Sequence, residues 1–246
     1  MKTAFYERIV FGGSALLLGV IALKWHDSDT WQTLSEIRKL PFGAVIGGCL
    51  MTAQISGGIG MQHRRTARWA SVALLVVYSL FSLACVPGIM AAPTVYFHYG
   101  SFFEQFSALC GAMALYAATE ANGARAAAIG RVAQLGLGAC AISFMLSQII
   151  YFRLTASMVP IWIPPGQSFW AILTTIAFGL AAIAILASCH ALLAMRLMTL
   201  MLALFGVLVW VPLLVAHPKV HGNWSECGLT FLIAGASWMV ADLRSR

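Results

Sequence analysis

YGSFFEQFSALCGAMALYAATEA (Tyr99–Ala121) and HGNWSECGLTFLIAGASWMVADL (His221–Leu243) are two segments of this chain that follow one pattern. Each begins at a turn, carries a carboxylate early, continues through 15 mostly apolar residues and ends at a second carboxylate. When the segments are aligned without gaps, Glu104 meets Glu226 and the later carboxylates also coincide. This correspondence predicts that the chain contains two copies of one smaller membrane unit.

The composition indicates a membrane protein. The 246 residues are 61% hydrophobic and only 9% charged, and the mean hydropathy is +0.86. Apolar runs of about 18 residues or more recur along the chain, which is typical of a polytopic helical membrane protein. The net charge of +7 does not indicate nucleic-acid binding, because no basic stripe with interleaved aromatic residues is present. In a membrane protein, excess Lys and Arg reflects orientation and contact with anionic lipid.

The apolar runs predict an all-α membrane protein of about eight transmembrane helices. A short amphipathic helix is also predicted in the loop after the first span, within WQTLSEIRKL (Trp31–Leu40). The predicted spans run roughly Tyr6–Lys24, Pro41–Met61, Trp69–Ala91, Ser101–Thr119, Val132–Phe152, Phe169–Cys189, Leu197–Ala216 and Ser225–Asp242.

The basic residues predict the orientation. If both termini lie inside, the inner face holds 10 of the 15 basic residues and the outer face holds 5. Cytoplasmic loops carry an excess of Lys and Arg. The bias therefore predicts cytoplasmic N- and C-termini in a bacterial-type cytoplasmic (inner) membrane.

The repeated pattern divides the chain into two halves of four helices. Residues 1–121 form the first predicted repeat and residues 122–246 the second, with EANGARAAAIGR (Glu120–Arg131) as the joint. Because each half has an even number of spans, both halves have the same orientation. They are therefore predicted to be parallel repeats, related by an axis along the membrane normal.

Several polar side chains are predicted to gather at the outer face. Glu104 and Glu226 are expected about one turn inside their helices from that face. Four of the six histidines and one tryptophan are expected at the same depth: His26, His98, His217, His221 and Trp224. Together these side chains define a candidate outer-face polar pocket.

The chemistry of the pocket leaves three ligands open. Imidazole suits transition metals and haem iron, so His98, His217 and His221 are candidate metal ligands. A nearby carboxylate can act as a further ligand or as a proton acceptor. Alternatively, the His and acid side chains could hydrogen-bond a quinone head group while its apolar tail lies between helices. Quinone, metal and haem are thus the cofactors that the sequence favours.

A simpler interpretation also fits the two acids. Ser101 and Glu104 have the spacing of a capping box, and Asn223 and Glu226 form its close relative. Each carboxylate would then reach back to a backbone N–H at its helix start, where the helix dipole also favours negative charge.

Two other groups of residues are predicted to have structural roles. The six cysteines include no CxxC pair and are expected to be small buried residues rather than disulfide partners. Four glutamines within the spans are expected to hydrogen-bond between helices: Gln54, Gln105, Gln134 and Gln148.

Two segments of the second half resemble the DoxX-like family of membrane proteins. VPIWIPPGQSFWAILTTIAFGLAAIAIL (Val159–Leu186) is similar to the family's second-helix region, and HPKVHGNWSECGLTFLIAGASWMVADL (His217–Leu243) to its last helix. A DoxX-like unit has four helices, so the chain would be a tandem pair. The family includes subunits associated with quinone-linked sulfur oxidation and membrane thiol-redox systems. Thiol–quinone exchange needs a CxxC pair, so here a partner or a bound metal would supply electrons.

These observations favour an accessory or quinone-contacting subunit of a membrane redox system. Its expected partners are the lipid bilayer and either a redox protein or a second copy of the chain. One alternative is a small-solute or ion transporter. A second is a membrane enzyme acting on an apolar or lipid substrate, with Glu104, Glu226 and the histidines as acid–base groups. The chain carries no complete catalytic signature.

Overall fold

The computed structural model describes residues 6–25 and 32–245, and this part of the chain contains helices and no strand. Seven of its helices are long and apolar enough to cross a membrane. The chain is therefore a polytopic all-α membrane protein whose environment is a lipid bilayer.

The helices follow one another with short connections. The first five are α1 (Tyr6–Trp25), α2 (Gln32–Arg38), α3 (Gly43–Gly60), α4 (Ala67–Ala84) and α5 (Val86–Ala91). The next four are α6 (Tyr96–Thr119), α7 (Gly123–Ile150), α8 (Phe152–Met158) and α9 (Gln167–Leu186). The last are α10 (Ala191–Phe205), a π-helical turn (Gly206–Trp210), α11 (Val211–Ala216) and α12 (His221–Arg244). The short helix predicted between Trp31 and Leu40 is confirmed as α2.

The seven candidate spans are α1, α3, α4 with α5, α7, α9, α10 with α11, and α12. Helix α6 has 24 residues, which is long enough to cross, but it is not among these seven. Its first half carries His98, Glu104 and Gln105, which lower its hydropathy. The count of eight spans therefore stays a prediction.

Several helices begin earlier than predicted. Helix α6 begins at Tyr96 rather than at Ser101, and α7 begins at Gly123 rather than at Val132. The prediction placed helix ends where apolar runs stop, but a helix continues wherever its terminal N–H groups find partners. At α7 the side chain of Asn122 accepts a hydrogen bond from the backbone N–H of Arg125 at 3.1 Å.

Helices α6 and α12 lie at the centre of the bundle and pack against each other. Helix α6 also contacts α4 and α7, and α12 also contacts α1 and α10. Helix α3 packs against α1 and α4, and α9 packs against α7 and α10. The outer helices thus form two layers around the central pair.

Small residues let the central helices approach closely. A Cβ on Gly111 of α6 would lie 2.7 Å from Cβ of Ala236 on α12. A Cβ on Gly235 would lie 2.7 Å from the backbone N of Phe11, whose side chain is fully buried. Close backbone approach of this kind is a main source of helix association in lipid.

Glutamines connect neighbouring helices, as predicted for three of the four. The Nε2 of Gln54 on α3 donates to the hydroxyl of Tyr78 on α4 at 3.4 Å. Gln134 on α7 donates to the carbonyl of Ile185 on α9 at 2.7 Å, and Gln148 contacts two threonines of α9. The Oε1 of Gln105 has no partner within the described ranges.

The bundle has two polar ends. We call the end at which α6 and α12 begin the His end, because His98, His217 and His221 lie there. The opposite end, at which these two helices finish, is the Arg end. Here the carboxylate of Glu120 accepts from Arg68 at 3.5 Å.

Glu120 at the Arg end forms two ion pairs. Its carboxylate lies 4.0 Å from Arg125 in addition to its contact with Arg68. Its pKa lies below the usual value, first because the backbone N–H of Asn122 donates to it and then because these cations lie nearby. Arg244 at the same end donates to the side-chain amide of Gln134 on α7.

The six cysteines are all free, as predicted from their spacing. Cys85, Cys110, Cys140 and Cys227 are buried among the helices, whereas Cys49 and Cys189 are exposed.

We expect α6 to cross the membrane, which would make eight crossings and put both termini on one side. Topology reporters, one fluorescent only inside and one enzymatically active only outside, inserted after Pro93 and after Asn122 should report opposite sides. Reporters at the two termini should report the same side. If the two insertions on either side of α6 report one compartment, α6 does not cross and the eight-span count is wrong.

We expect Gly235→Ala to destabilise the protein by about 1–3 kcal/mol, because the new methyl group meets the backbone of Phe11. Gly13→Ala is the matched control, since a Cβ there meets nothing within 4 Å. Thermal unfolding in mild detergent measures both. Equal melting temperatures for the two variants would contradict the packing described for α1 and α12.

Candidate functional site

The two acids of the predicted pocket lie on the central helices, towards the His end. Glu104 of α6 is half-buried and Glu226 of α12 is exposed on the bundle surface. The two carboxylates are close enough to interact electrostatically. Glu104 also interacts with Cys85 at the end of α4. The structure thus brings together the two acids that the sequence singled out.

Neither acid belongs to a capping box, so that interpretation is wrong. Helix α6 is preceded by Val95, and Ser101 lies inside the helix, where its hydroxyl donates to the carbonyl of Phe97 at 3.2 Å. Glu104 is the ninth residue of α6, more than two turns inside rather than one.

The second predicted capping box fails in the same way. Helix α12 already begins at His221. The Nδ2 of Asn223 donates backwards to the carbonyls of Leu213 and His217, at 3.3 and 3.4 Å. Glu226 is the sixth residue of α12. The positions of both acids therefore need another explanation than capping.

His221 belongs to an aromatic cluster rather than to a ligand set. Its ring lies 4.4 Å from that of Trp25, centroid to centroid, and Trp25 lies 6.4 Å from Trp224. The indole N–H of Trp224 donates to the carbonyl of Pro218 at 2.9 Å, and the ammonium of Lys24 lies 4.7 Å from the Trp25 ring centroid. These side chains connect the end of α1 to the start of α12.

His98 lies in a separate small cavity of about 240 Å³. Ser35, Glu36, Cys85 and Ser101 are among its lining residues. The His98 ring packs against Gly88 of α5, where a Cβ would lie 2.9 Å from Nδ1.

The proposed metal ligands His98, His217 and His221 are not brought together. His98 packs on α5, His221 stacks on α1, and His217 is an exposed residue after α11. Within residues 6–25 and 32–245, no three His, Cys, Asp or Glu side chains form a group that could hold a metal ion. His26, the remaining member of the predicted pocket, lies outside the described residues.

A cavity that the sequence did not point to lies in the second half of the chain. It has a volume of about 510 Å³ and lies among α7, α8, α9, α10 and the π-helical turn. We call it the α9–α10 cavity. Apolar side chains form most of its wall, and Gln148, Thr155, Thr174 and Trp170 supply its polar groups.

Gln148 is the central polar residue of the α9–α10 cavity. It is 9% exposed, and its Oε1 accepts from the hydroxyls of Thr174 at 3.2 Å and Thr175 at 2.9 Å. In this arrangement no described protein group accepts a hydrogen bond from its Nε2. The amide therefore presents N–H donors to the cavity from a fixed position. The Nε2 of Gln148 therefore marks a place where a ligand or an ordered water would be hydrogen-bonded.

Two tryptophans and the π-helical turn shape the same cavity. The indole N–H of Trp170 donates to the carbonyl of Pro164 at 3.0 Å, which fixes that ring at the mouth. Leu208, Val209 and Trp210 of the π-helical turn line the opposite side. π-helical turns inside α-helices are frequent at functional sites.

Sequence reasoning missed this site for an identifiable reason. Gln148 was predicted to connect helices, and it does, but the prediction stopped at that structural role. Trp170 and Thr174 lie within the segment Val159–Leu186, whose Pro-rich loop and aromatic entry were the available signal. The prediction relied instead on charged and imidazole side chains, and these lie at the His end of α6 and α12.

Comparisons of this chain with protein-family models, with curated proteins and with solved structures found no match. The resemblance to DoxX-like membrane proteins therefore stays a prediction that rests on the two segments quoted above.

We expect Glu104→Gln to leave the melting temperature unchanged or to raise it, because the amide keeps the size of the side chain and no helix cap is lost. A true cap would cost about 1 kcal/mol when removed. Glu120→Gln is the control and should lower the melting temperature at pH 7, since it removes the pairs with Arg68 and Arg125. Thermal unfolding in mild detergent measures the melting temperatures of both variants. A clear loss of stability in Glu104→Gln would contradict the conclusion that Glu104 does not cap its helix.

Proposed function

We propose that this chain is a quinone-contacting accessory subunit of a membrane redox system, with the quinone head group in the α9–α10 cavity. One observation carries the proposal: a cavity of ligand size presents the buried, positioned amide of Gln148 between apolar walls. The ligand site is thus proposed in the second half of the chain rather than at the histidines of the His end.

The lining of the cavity suits the chemistry of a quinone. Its volume of about 510 Å³ lies within the range of roughly 300–1,000 Å³ typical of small-molecule sites. A quinone offers carbonyl oxygens as acceptors, and the N–H groups of Gln148 and the hydroxyl of Thr155 can donate to them. Trp170 and Trp210 provide flat apolar surfaces for a planar ring.

The rim of the cavity supports entry from the bilayer. Leu173, Leu197 and Leu200 line it and are 43%, 56% and 56% exposed on the bundle surface. In a membrane these exposed side chains contact lipid. An isoprenoid tail could therefore extend from the cavity into the hydrocarbon region while the ring stays against Gln148.

An accessory role follows from the sequence. The chain has no CxxC pair with which to pass electrons to a quinone through a disulfide. We therefore propose that a partner protein supplies the electrons and that this chain supplies part of the quinone site.

We also propose that residues 1–121 and 122–246 are tandem four-helix repeats in a cytoplasmic membrane. Corresponding packing supports this: α1 on α3 matches α7 on α9, α4 on α6 matches α10 on α12, and α1 on α12 matches α7 on α6. Helices α6 and α12 both have 24 residues and begin 125 positions apart.

Side-chain contacts favour the same register of 125. The hydroxyl of Tyr99 donates to the carbonyl of Pro93 at 3.2 Å, and the indole of Trp224 donates to that of Pro218 at 2.9 Å. Tyr99 and Trp224 are 125 positions apart in the sequence, and so are Pro93 and Pro218. In this register Glu104 corresponds to Leu229, so the gapless alignment of Glu104 with Glu226 is off by about one helical turn.

A second candidate function, transport of an ion or small solute, is favoured by the Glu104–Glu226 pair on the central helices. The Glu104→Gln protein tests it in proteoliposomes. Loss of uptake with unchanged stability would support transport over quinone contact.

For the quinone site we expect Gln148→Leu to weaken binding about tenfold, because one good hydrogen bond is worth about 1.4 kcal/mol there. Thr155→Val should also weaken it without disturbing the Gln148–Thr174 contact. The measurement is quenching of tryptophan fluorescence by short-tailed benzoquinone and naphthoquinone in mild detergent.

Thr199→Val is the matched control for the threonine variant. Thr199 is a half-buried residue of α10 whose hydroxyl donates to the carbonyl of Met195 at 2.9 Å, and it does not line the cavity. The Thr199→Val protein should bind quinone as tightly as the wild type does. The proposal fails if the wild type shows no saturable binding, or if Gln148→Leu and Thr199→Val bind alike.

A further inference from the structure

A further cavity, at the Arg end of the bundle, lies between α7 and α12. Its volume is about 400 Å³. Ala126, Ala127 and Gly130 of α7 leave space on one side, and Arg131, Gln134 and Arg244 supply its polar groups. We call it the arginine cavity.

Hydrogen bonds through a buried glutamine hold one of the two guanidinium groups, that of the exposed Arg244, in place. Arg244 donates through Nη1 to the Oε1 of Gln134. Gln134 is 3% exposed, and its Nε2 donates to the carbonyl of Ile185 at 2.7 Å and to the hydroxyl of Ser188 at 3.1 Å. The chain of bonds from α9 through α7 therefore fixes Arg244 at the cavity while leaving its other N–H donors available.

The second guanidinium has no partner in the part of the chain that the structure describes. Arg131 is exposed, one turn from Ala127, and forms no hydrogen bond or ion pair there. Arg68 and Arg125, by contrast, pair with Glu120 at the same end. Among the described residues, no carboxylate lines the arginine cavity, so two positive charges face it.

Apolar side chains complete the cavity on the side of the membrane. Val240 and Leu243 of α12 line it beside the two arginines. The charged groups of the cavity lie beside apolar side chains at the end of two membrane helices. A phospholipid has the same arrangement, with a charged head group next to apolar acyl chains. Basic pockets between transmembrane helices bind anionic lipid head groups in this way.

We propose that the arginine cavity binds the phosphate group of an anionic phospholipid, with the first part of an acyl chain against Val240 and Leu243. Guanidinium groups bind phosphate oxygens through two parallel N–H donors each, which favours arginine over a point charge. This site is independent of the quinone proposal, since it lies at the other end of the bundle.

The test is native mass spectrometry of the whole protein in mild detergent, titrated with phosphatidylglycerol and, separately, with phosphatidylethanolamine of the same acyl chains. The wild type should retain one phosphatidylglycerol at least about tenfold more tightly than phosphatidylethanolamine. Arg131→Gln should lose about tenfold in phosphatidylglycerol affinity. Arg153→Gln, which removes an exposed arginine of α8 outside the cavity, should lose none.

Two further arms keep the proposal testable. Ala127→Leu fills the cavity without changing its charge and should also reduce phosphatidylglycerol binding. Inorganic phosphate at millimolar concentration should not displace the lipid. Equal binding of both lipids, equal losses in Arg131→Gln and Arg153→Gln, or displacement by inorganic phosphate would each overturn the proposal, the last by pointing to a site for a free anion.

Discussion

Close contact between helix backbones at the crossing of α6 and α12 is the constraint on which the rest of the structure depends. In a bilayer, apolar side chains gain nothing by leaving lipid, so helices associate through tight packing and hydrogen bonds. A Cβ on Gly111 or on Gly235 would lie within 3 Å of Ala236 or Phe11. Because Gly111 has no side chain, α6 and α12 meet at the centre, and because Gly235 has none, α1 packs closely against α12.

This central contact also determines where polar groups can lie. At the tight crossing there is no room for them, so the acids Glu104 and Glu226 lie towards the His end of the same helices. Farther out, Gln134 and Gln148 connect α7 to α9 at the Arg end and the His end respectively. Each of these two glutamines also borders a cavity.

The sequence predicted the parts of the fold that depend on length and hydropathy. Seven of the eight predicted membrane helices, the short helix α2 and the glutamine contacts of Gln54, Gln134 and Gln148 follow from apolar run length and from the cost of a bare polar group in lipid. Helix starts were misplaced by up to nine residues at α7, because caps such as Asn122 extend helices beyond their apolar runs. The α9–α10 cavity could not be predicted, since it depends on the three-dimensional spacing of helices rather than on residue type.

In the register of 125 that we propose for the repeat, the two halves differ at the α9–α10 cavity. Val86 follows Ala67 by 19 residues, whereas Val211 follows Ala191 by 20, and the additional residue coincides with the π-helical turn at Gly206–Trp210. Counting back 125 residues from Gly206 gives Phe81, whose ring is fully buried. In the proposed register, one inserted residue therefore distinguishes the half that contains the α9–α10 cavity from the half in which Phe81 is buried.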